Sequence, residues 1–140
     1  MAENLKDETI EQLRYLQSIY AQEYENISKE LANYNVVYEA TKRNIEVLDN
    51  LPMLENGSIL LNLESGTYIK AKINEIKEVM VYVGSGYLVE KSVDEAKEYL
   101  KDGQKKEEEL IAELQKQKEY VEKELIDIAF EIEKTGNANV

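Results

Sequence analysis

Between Ile10 and Leu48 apolar residues return every seven positions for six consecutive heptads, and no other feature restricts the fold of this 140-residue chain as strongly. One row of the repeat is Ile10, Gln17, Tyr24, Leu31, Tyr38 and Ile45; the other is Leu13, Tyr20, Ile27, Tyr34, Thr41 and Leu48. Ten of these twelve residues are aliphatic or tyrosine. Spacings that alternate between three and four place both rows on one helical stripe, the pattern of a left-handed coiled coil. Breakers are kept out of the way: the single proline is Pro52, and five of the seven Pro and Gly residues fall between 52 and 86. A first helix is therefore expected over about 7–50. Asn4, Asp7 and Thr9 followed by Gln12 offer start signals, and Pro52 is the expected stop.

A second helix is expected over about 93–134. It opens at Ser92, where a serine followed three residues later by Glu95 can cap the first turn. Its seam is Val93, Leu100, Glu107, Leu114, Val121 and Ile128, alternating with Lys97, Gln104, Ile111, Lys118, Leu125 and Ile132. The first half is the weaker half, and Gly103 costs about 1 kcal/mol relative to alanine inside a helix. Gly136 is the expected terminator, with 135–140 a short tail. At about 1.5 Å per residue the helices measure roughly 65 and 60 Å, so equal arms flank a short middle. Packed helices lie about 10 Å apart, a distance the middle can return across, which favours an antiparallel intrachain hairpin over a parallel dimer formed by each arm separately.

Within 58–91 the apolar period falls to two. Thr67, Ile69, Ala71 and Ile73 alternate with Tyr68, Lys70 and Lys72; Val79, Val81 and Val83 alternate with Met80 and Tyr82. That is the pattern of half-buried strands. Glu64-Ser65-Gly66 and Gly84-Ser85-Gly86 are hairpin links. The expected fold class is thus α+β, a long antiparallel coiled-coil hairpin with two central β-hairpins in one domain over 1–140. Lone hairpins of this size are marginal and expose unpaired edges. The chain is therefore expected to be an obligate oligomer that joins through Ile69, Ala71, Ile73, Val79, Val81 and Val83.

Charge and residue types exclude much chemistry. With 17 Lys and Arg against 29 Asp and Glu the net charge is −12, which opposes binding to nucleic acid and to anionic membranes. The charge is divided as −5 over 1–51, −1 over 52–92 and −6 over 93–134. The chain has no His and no Cys, which excludes Cys/His zinc sites, disulfides and His-based triads. Glu107-Glu108-Glu109 point in different directions around a helix and cannot converge on one ion, Lys105-Lys106 is embedded in acids, and Gly84-Ser85-Gly86 lacks the rest of a phosphate-binding fingerprint. No enzyme activity, metal or cofactor is expected. The polar N-terminal stretch has no signal-peptide character, and no apolar run approaches the roughly 20 residues of a membrane span, so the expected location is cytoplasmic.

The order helix, two glycine-turn hairpins, helix, with Val83-Gly84-Ser85-Gly86-Tyr87-Leu88-Val89-Glu90-Lys91 running into Asp94-Glu95-Ala96, resembles an alpha-type subunit of archaeal prefoldin over essentially the whole chain. Two hairpins, where beta-type subunits have one, also match the alpha type. Asn62-Leu63-Glu64-Ser65-Gly66 stands where alpha-type subunits usually carry a Pro-Leu-Gly-like segment, and the seam tyrosines are a second departure. The resemblance implies an ATP-independent holdase. Its hairpins assemble with beta-type subunits into an oligomeric β-barrel platform, and its coiled-coil tips bind unfolded protein clients and pass them to a group II chaperonin.

Residues at the free ends of the arms fit that role on their own terms. Tyr15, Leu16 and Ile19 lie off the first seam, as Ile126 and Phe130 lie off the second, and an antiparallel hairpin makes those ends neighbours. The competing account is that Leu16, Ile19 and Ile126 widen the core where the coil ends; Val36, Val37, Val47 and Leu110 are also off the seam, so apolar residues outside it are not unique to the tip. An alternative to the holdase is a structural protein that self-assembles from copies of itself into filaments through its strands.

Overall fold

The computed structural model describes Leu5 and residues 8–138. Its elements are α1 (Ile10–Asp49), the single turn α2 (Leu51–Leu54), strands β1 (Ser58–Asn62), β2 (Tyr68–Lys72), β3 (Glu78–Gly84) and β4 (Tyr87–Ser92), and α3 (Val93–Ala138). Asn4 and Asp7 lie outside the described residues. Thr9 and Gln12 cap α1 reciprocally: the Gln12 amide donates to Thr9 Oγ1 at 3.2 Å and the Thr9 amide to Gln12 Oε1 at 2.9 Å. Two amides that the first helical turn leaves without partners are thereby satisfied. Ser92 caps α3 in the expected way, its Oγ accepting from the Glu95 amide at 3.2 Å.

Two helix ends differ from the sequence expectation. α1 ends at Asp49, and Pro52 sits in the first turn of α2, where a missing N–H costs no helical hydrogen bond. α3 continues past Gly136 to Ala138. A glycine ends a helix when it adopts the left-handed conformation, and Gly136 is not among the glycines with positive φ.

The chain divides into two compact units, one built from α1 up to Val37 with α3 from Glu107, the other spanning Tyr38–Lys106. In the first, Leu13, Tyr20, Ile27 and Leu31 of α1 form a core with Leu114, Val121 and Ile128 of α3. The packing is antiparallel. Ser28 to Asn35 face Gln115 to Glu122, while about two turns earlier in α1 Tyr20 faces Tyr120 and Glu124. The Tyr24 hydroxyl donates to Glu122 Oε1 at 3.0 Å, and the Lys118 ammonium stands 5.2 Å from the Tyr24 ring centre. All twelve seam positions of each helix are buried or half-buried, including the polar interruptions. Lys118 tolerates this by setting its charge over the Tyr24 ring.

In the second unit Ile45, Leu51, Val81 and Ala96 are buried, and Lys97 Nζ reaches Asp49 Oδ1 at 3.3 Å. Hairpin β1–β2 pairs Leu60 with Lys70 and Leu61 with Ile69; hairpin β3–β4 pairs Met80 with Glu90 and Val81 with Val89. Each is a separate two-stranded antiparallel sheet, so no barrel closes among the described residues. The turn of the second hairpin needs its glycines: Gly84 and Gly86 have φ of 108° and 79°, and a bulge lies between Tyr82 and Gly84. The first hairpin is anchored at its root. The Asn56 amide donates to the Ile73 carbonyl at 2.7 Å, the Ile73 amide to the Gly57 carbonyl at 3.2 Å, and the Ile76 amide to Glu55 Oε1 at 3.2 Å. Beyond that root every residue from Leu60 to Lys70 is exposed.

Candidate functional site

Two surfaces are candidates, one on each unit. On the first unit the sequence singled out five residues, and the structure separates them into two kinds. Leu16 packs against the buried core. Tyr15, Ile19, Ile126 and Phe130 are instead exposed by 68, 44, 69 and 63%. Tyr15 and Ile19 are four apart in α1, as are Ile126 and Phe130 in α3, and residues at that spacing are neighbours on a helix surface. The unit therefore presents one exposed apolar pair on each helix. Phe130 also borders a shallow hollow with Glu133, Lys134 and Asn137. No contact between the two pairs is among those described. Val36 and Leu110 are exposed as well, so uncovered apolar residues are not confined to the free ends.

The interior of this unit is not wholly apolar. Glu124 is 5% exposed and its Oε2 has no hydrogen-bond partner, as is also the case for the Ser28 hydroxyl. Burial, then Tyr120 and Glu124, push the pKa of the Tyr20 phenol above its ordinary value, which keeps it neutral.

On the second unit the six strand residues expected to join subunits do not share one environment. Ile69 and Val83 are exposed, Ala71, Ile73 and Val79 are half-buried, and Val81 is buried within its own chain. Sequence reading missed the opposite phase of the same strands. Leu60, Tyr68, Met80, Tyr82 and Leu88 are 57 to 62% exposed. Alternation drew attention to the valine and isoleucine positions, yet several intervening positions carry large apolar side chains too. Exposed apolar side chains on a second face also call for cover. Glu78 and Glu90 lie on that second face, and their mutual hydrogen bond and repulsion raise the Glu78 pKa. Among the described residues no cluster of three or more candidate metal ligands exists, and no helix is long and apolar enough to cross a membrane.

Comparison with known proteins gives these surfaces a context. A family model described as Prefoldin subunit matches residues 20–138. Prefoldin subunit 5 of Homo sapiens is 31% identical over 102 residues, 70% of this chain; the match spans 64% of that relative's length. Prefoldin subunit alpha of Pyrococcus horikoshii is 30% identical over 131 residues, covering 92% of this chain and 87% of that one. Among solved structures, the cryo-EM structure of a filamentous PFD from Methanocaldococcus jannaschii is similar in fold, with a TM-score of 0.56 over 84% of this chain and 93% of that one at 20% identity. The family match begins at Tyr20, in the second heptad of α1, and runs through both hairpins and the whole of α3, so this chain belongs to the prefoldin family of chaperone subunits.

Proposed function

We propose that the chain is an ATP-independent holdase subunit of an archaeal cytoplasm, binding unfolded proteins through Tyr15, Ile19, Ile126 and Phe130 and passing them to a group II chaperonin. The observation that carries this reading is the pair of exposed apolar couples on the two helices of the first unit. Covering a side chain of this size stabilises a complex by about 1.5–3 kcal/mol before ordering costs, so one subunit offers only a weak grip. Several subunits in one particle raise avidity without any new kind of contact. Assembly through the hairpins, with beta-type partners or with further copies, thus belongs to the same function.

The test replaces Ile19, Ile126 and Phe130 together by serine. All three are exposed, so helicity by circular dichroism should be unchanged while suppression of aggregation of an unfolded client falls several-fold. Undiminished suppression by a folded triple variant overturns the assignment of these residues. Release of a labelled client on addition of a group II chaperonin reads the hand-over.

A second reading, self-assembly of this chain alone, is favoured by one observation. Hairpin β1–β2 is exposed from Leu60 to Lys70 and carries Leu60, Leu61, Tyr68 and Ile69 there, and such a hairpin is marginal without a partner. The two roles are compatible, because a filament of holdase subunits still presents its client-binding residues.

A further inference from the structure

On a helix surface the neighbours of a residue are those three and four positions away. Around Tyr15 and Ile19 these include Glu11 and Glu23; around Ile126 and Phe130 they include Glu122, Asp127 and Glu133, with Lys123 and Lys134. Residues adjacent in sequence add Arg14 beside Tyr15 and Glu131 beside Phe130. Six acids therefore border the exposed apolar pairs against three bases. Glu11, Glu23, Glu122 and Glu133 are exposed, and Asp127 and Glu131 are half-buried.

Among the described residues none of these six acids takes part in an ion pair. Glu122 accepts a hydrogen bond from the Tyr24 hydroxyl at 3.0 Å, which leaves its charge uncompensated. A cation brought by a ligand therefore has no existing ion pair to displace. Side chains at these helical spacings start about 5–6 Å apart, within the Debye length of about 8 Å at 150 mM salt. The acids thus act on any charge that lies beside a covered apolar residue. The unit around them carries −10 and acts at longer range in the same sense.

We propose that Tyr15, Ile19, Ile126 and Phe130 select unfolded clients whose apolar residues are flanked by Lys and Arg, over clients of equal hydropathy flanked by Asp and Glu. The inference rests on the holdase reading and gives it a substrate class, the unfolded basic polypeptide. Exposed ion pairs each add little affinity, so the apolar side chains supply the grip. Charge supplies the choice: opposite sign speeds encounter, and like sign set against like sign rejects the wrong partner. Grip and choice therefore reside in different residues, and separate substitutions remove them.

The test uses the full-length chain and two labelled synthetic peptides of equal length that share their Leu and Phe positions, one with Lys and the other with Glu at the positions between. Binding is read by fluorescence anisotropy. Wild type should hold the Lys peptide about ten-fold more tightly than the Glu peptide at about 20 mM salt, and the gap should narrow at about 300 mM. The variant E11Q/E23Q/E133Q neutralises exposed acids beside the apolar pairs, while E30Q/E109Q/E113Q neutralises as many exposed acids elsewhere on the same unit. The two variants have equal net charge, and circular dichroism checks that both stay folded. The first should lose most of the preference and the second should keep it. Equal affinity of wild type for the two peptides, or an equal loss in both variants, overturns the selection while leaving the holdase reading intact. Wild type that binds neither peptide overturns the holdase reading and the selection with it. Undiminished binding of the Lys peptide after serine replaces Ile19, Ile126 and Phe130 overturns the apolar pairs as the place where the choice is made.

Discussion

Tyr20 shows how much one seam residue sets the properties of the core. Its ring fills a position that leucine or isoleucine would fill in a plain coiled coil, while its hydroxyl comes up against Tyr120 and Glu124. Burial of the phenol, with those neighbours, raises its pKa above the ordinary value of 10.0. The folded state therefore holds the phenolic proton more tightly than the unfolded chain does. The corresponding stability is whole below about pH 10 and lost as pH rises through the raised folded value. Y20F should accordingly lose less stability than wild type between about pH 8 and about pH 11. Urea midpoints at both pH values, compared between the two proteins, measure this difference and cancel the background from lysine deprotonation; equal losses contradict the argument. The heptad pattern reveals Tyr20 as a core residue but hides Glu124, which flanks the seam and reads as solvated. A flanking position is covered when a side chain as large as tyrosine stands at the seam position facing it. Leu16 and Ile19 show the same limit in the client-binding candidates: both are off-seam by register, yet Leu16 packs on the core and Ile19 does not.

At the scale of elements the helices were the most legible part. A repeat sustained for six heptads leaves one self-consistent register, and it correctly marked even Gln17, Thr41 and Lys97 as sheltered. The strands were legible as elements, since period two and glycine links place all four. Their faces were not, because Leu60, Tyr68, Met80 and Tyr82 put large apolar side chains on the second phase as well. Which face is covered then depends on contacts that no local pattern encodes. The end of α3 was misjudged for a related reason: Gly136 permits a left-handed stop but does not impose one. Gly103 gives this point a measurable form. It lies within α3 without positive φ, and a Cβ built there meets nothing within 4 Å. G103A should therefore stabilise the chain by roughly 0.5–1 kcal/mol, through helix propensity and a less free unfolded chain. The urea midpoint should rise with an unchanged slope. A fall would mean that a helix–helix contact depends on the missing side chain.

For the whole molecule, charge follows the division into units. The unit of residues 1–37 and 107–140 carries −10 of the −12, and the unit of residues 38–106 carries −2. Self-association through the nearly neutral unit brings a further −10 with every copy, so like-charge repulsion opposes growth. Across solvent that repulsion reaches roughly a Debye length, about 30 Å at 10 mM salt and about 8 Å at 150 mM. Apolar contacts at a joint between hairpins are not weakened by salt, whereas charges facing each other through water are screened. The two contributions therefore respond differently to ionic strength, and repulsion yields first. Raising salt from about 10 to about 150 mM should increase the mean particle mass of wild type at fixed protein concentration, read by light scattering. A decrease would mean that the joint is held by exposed ion pairs, leaving the apolar contribution of Leu60, Tyr68, Met80 and Tyr82 too small to hold copies together. An increase would mean that a shielded, largely apolar joint works against the charge of the coiled-coil unit, which then limits how far the chain associates.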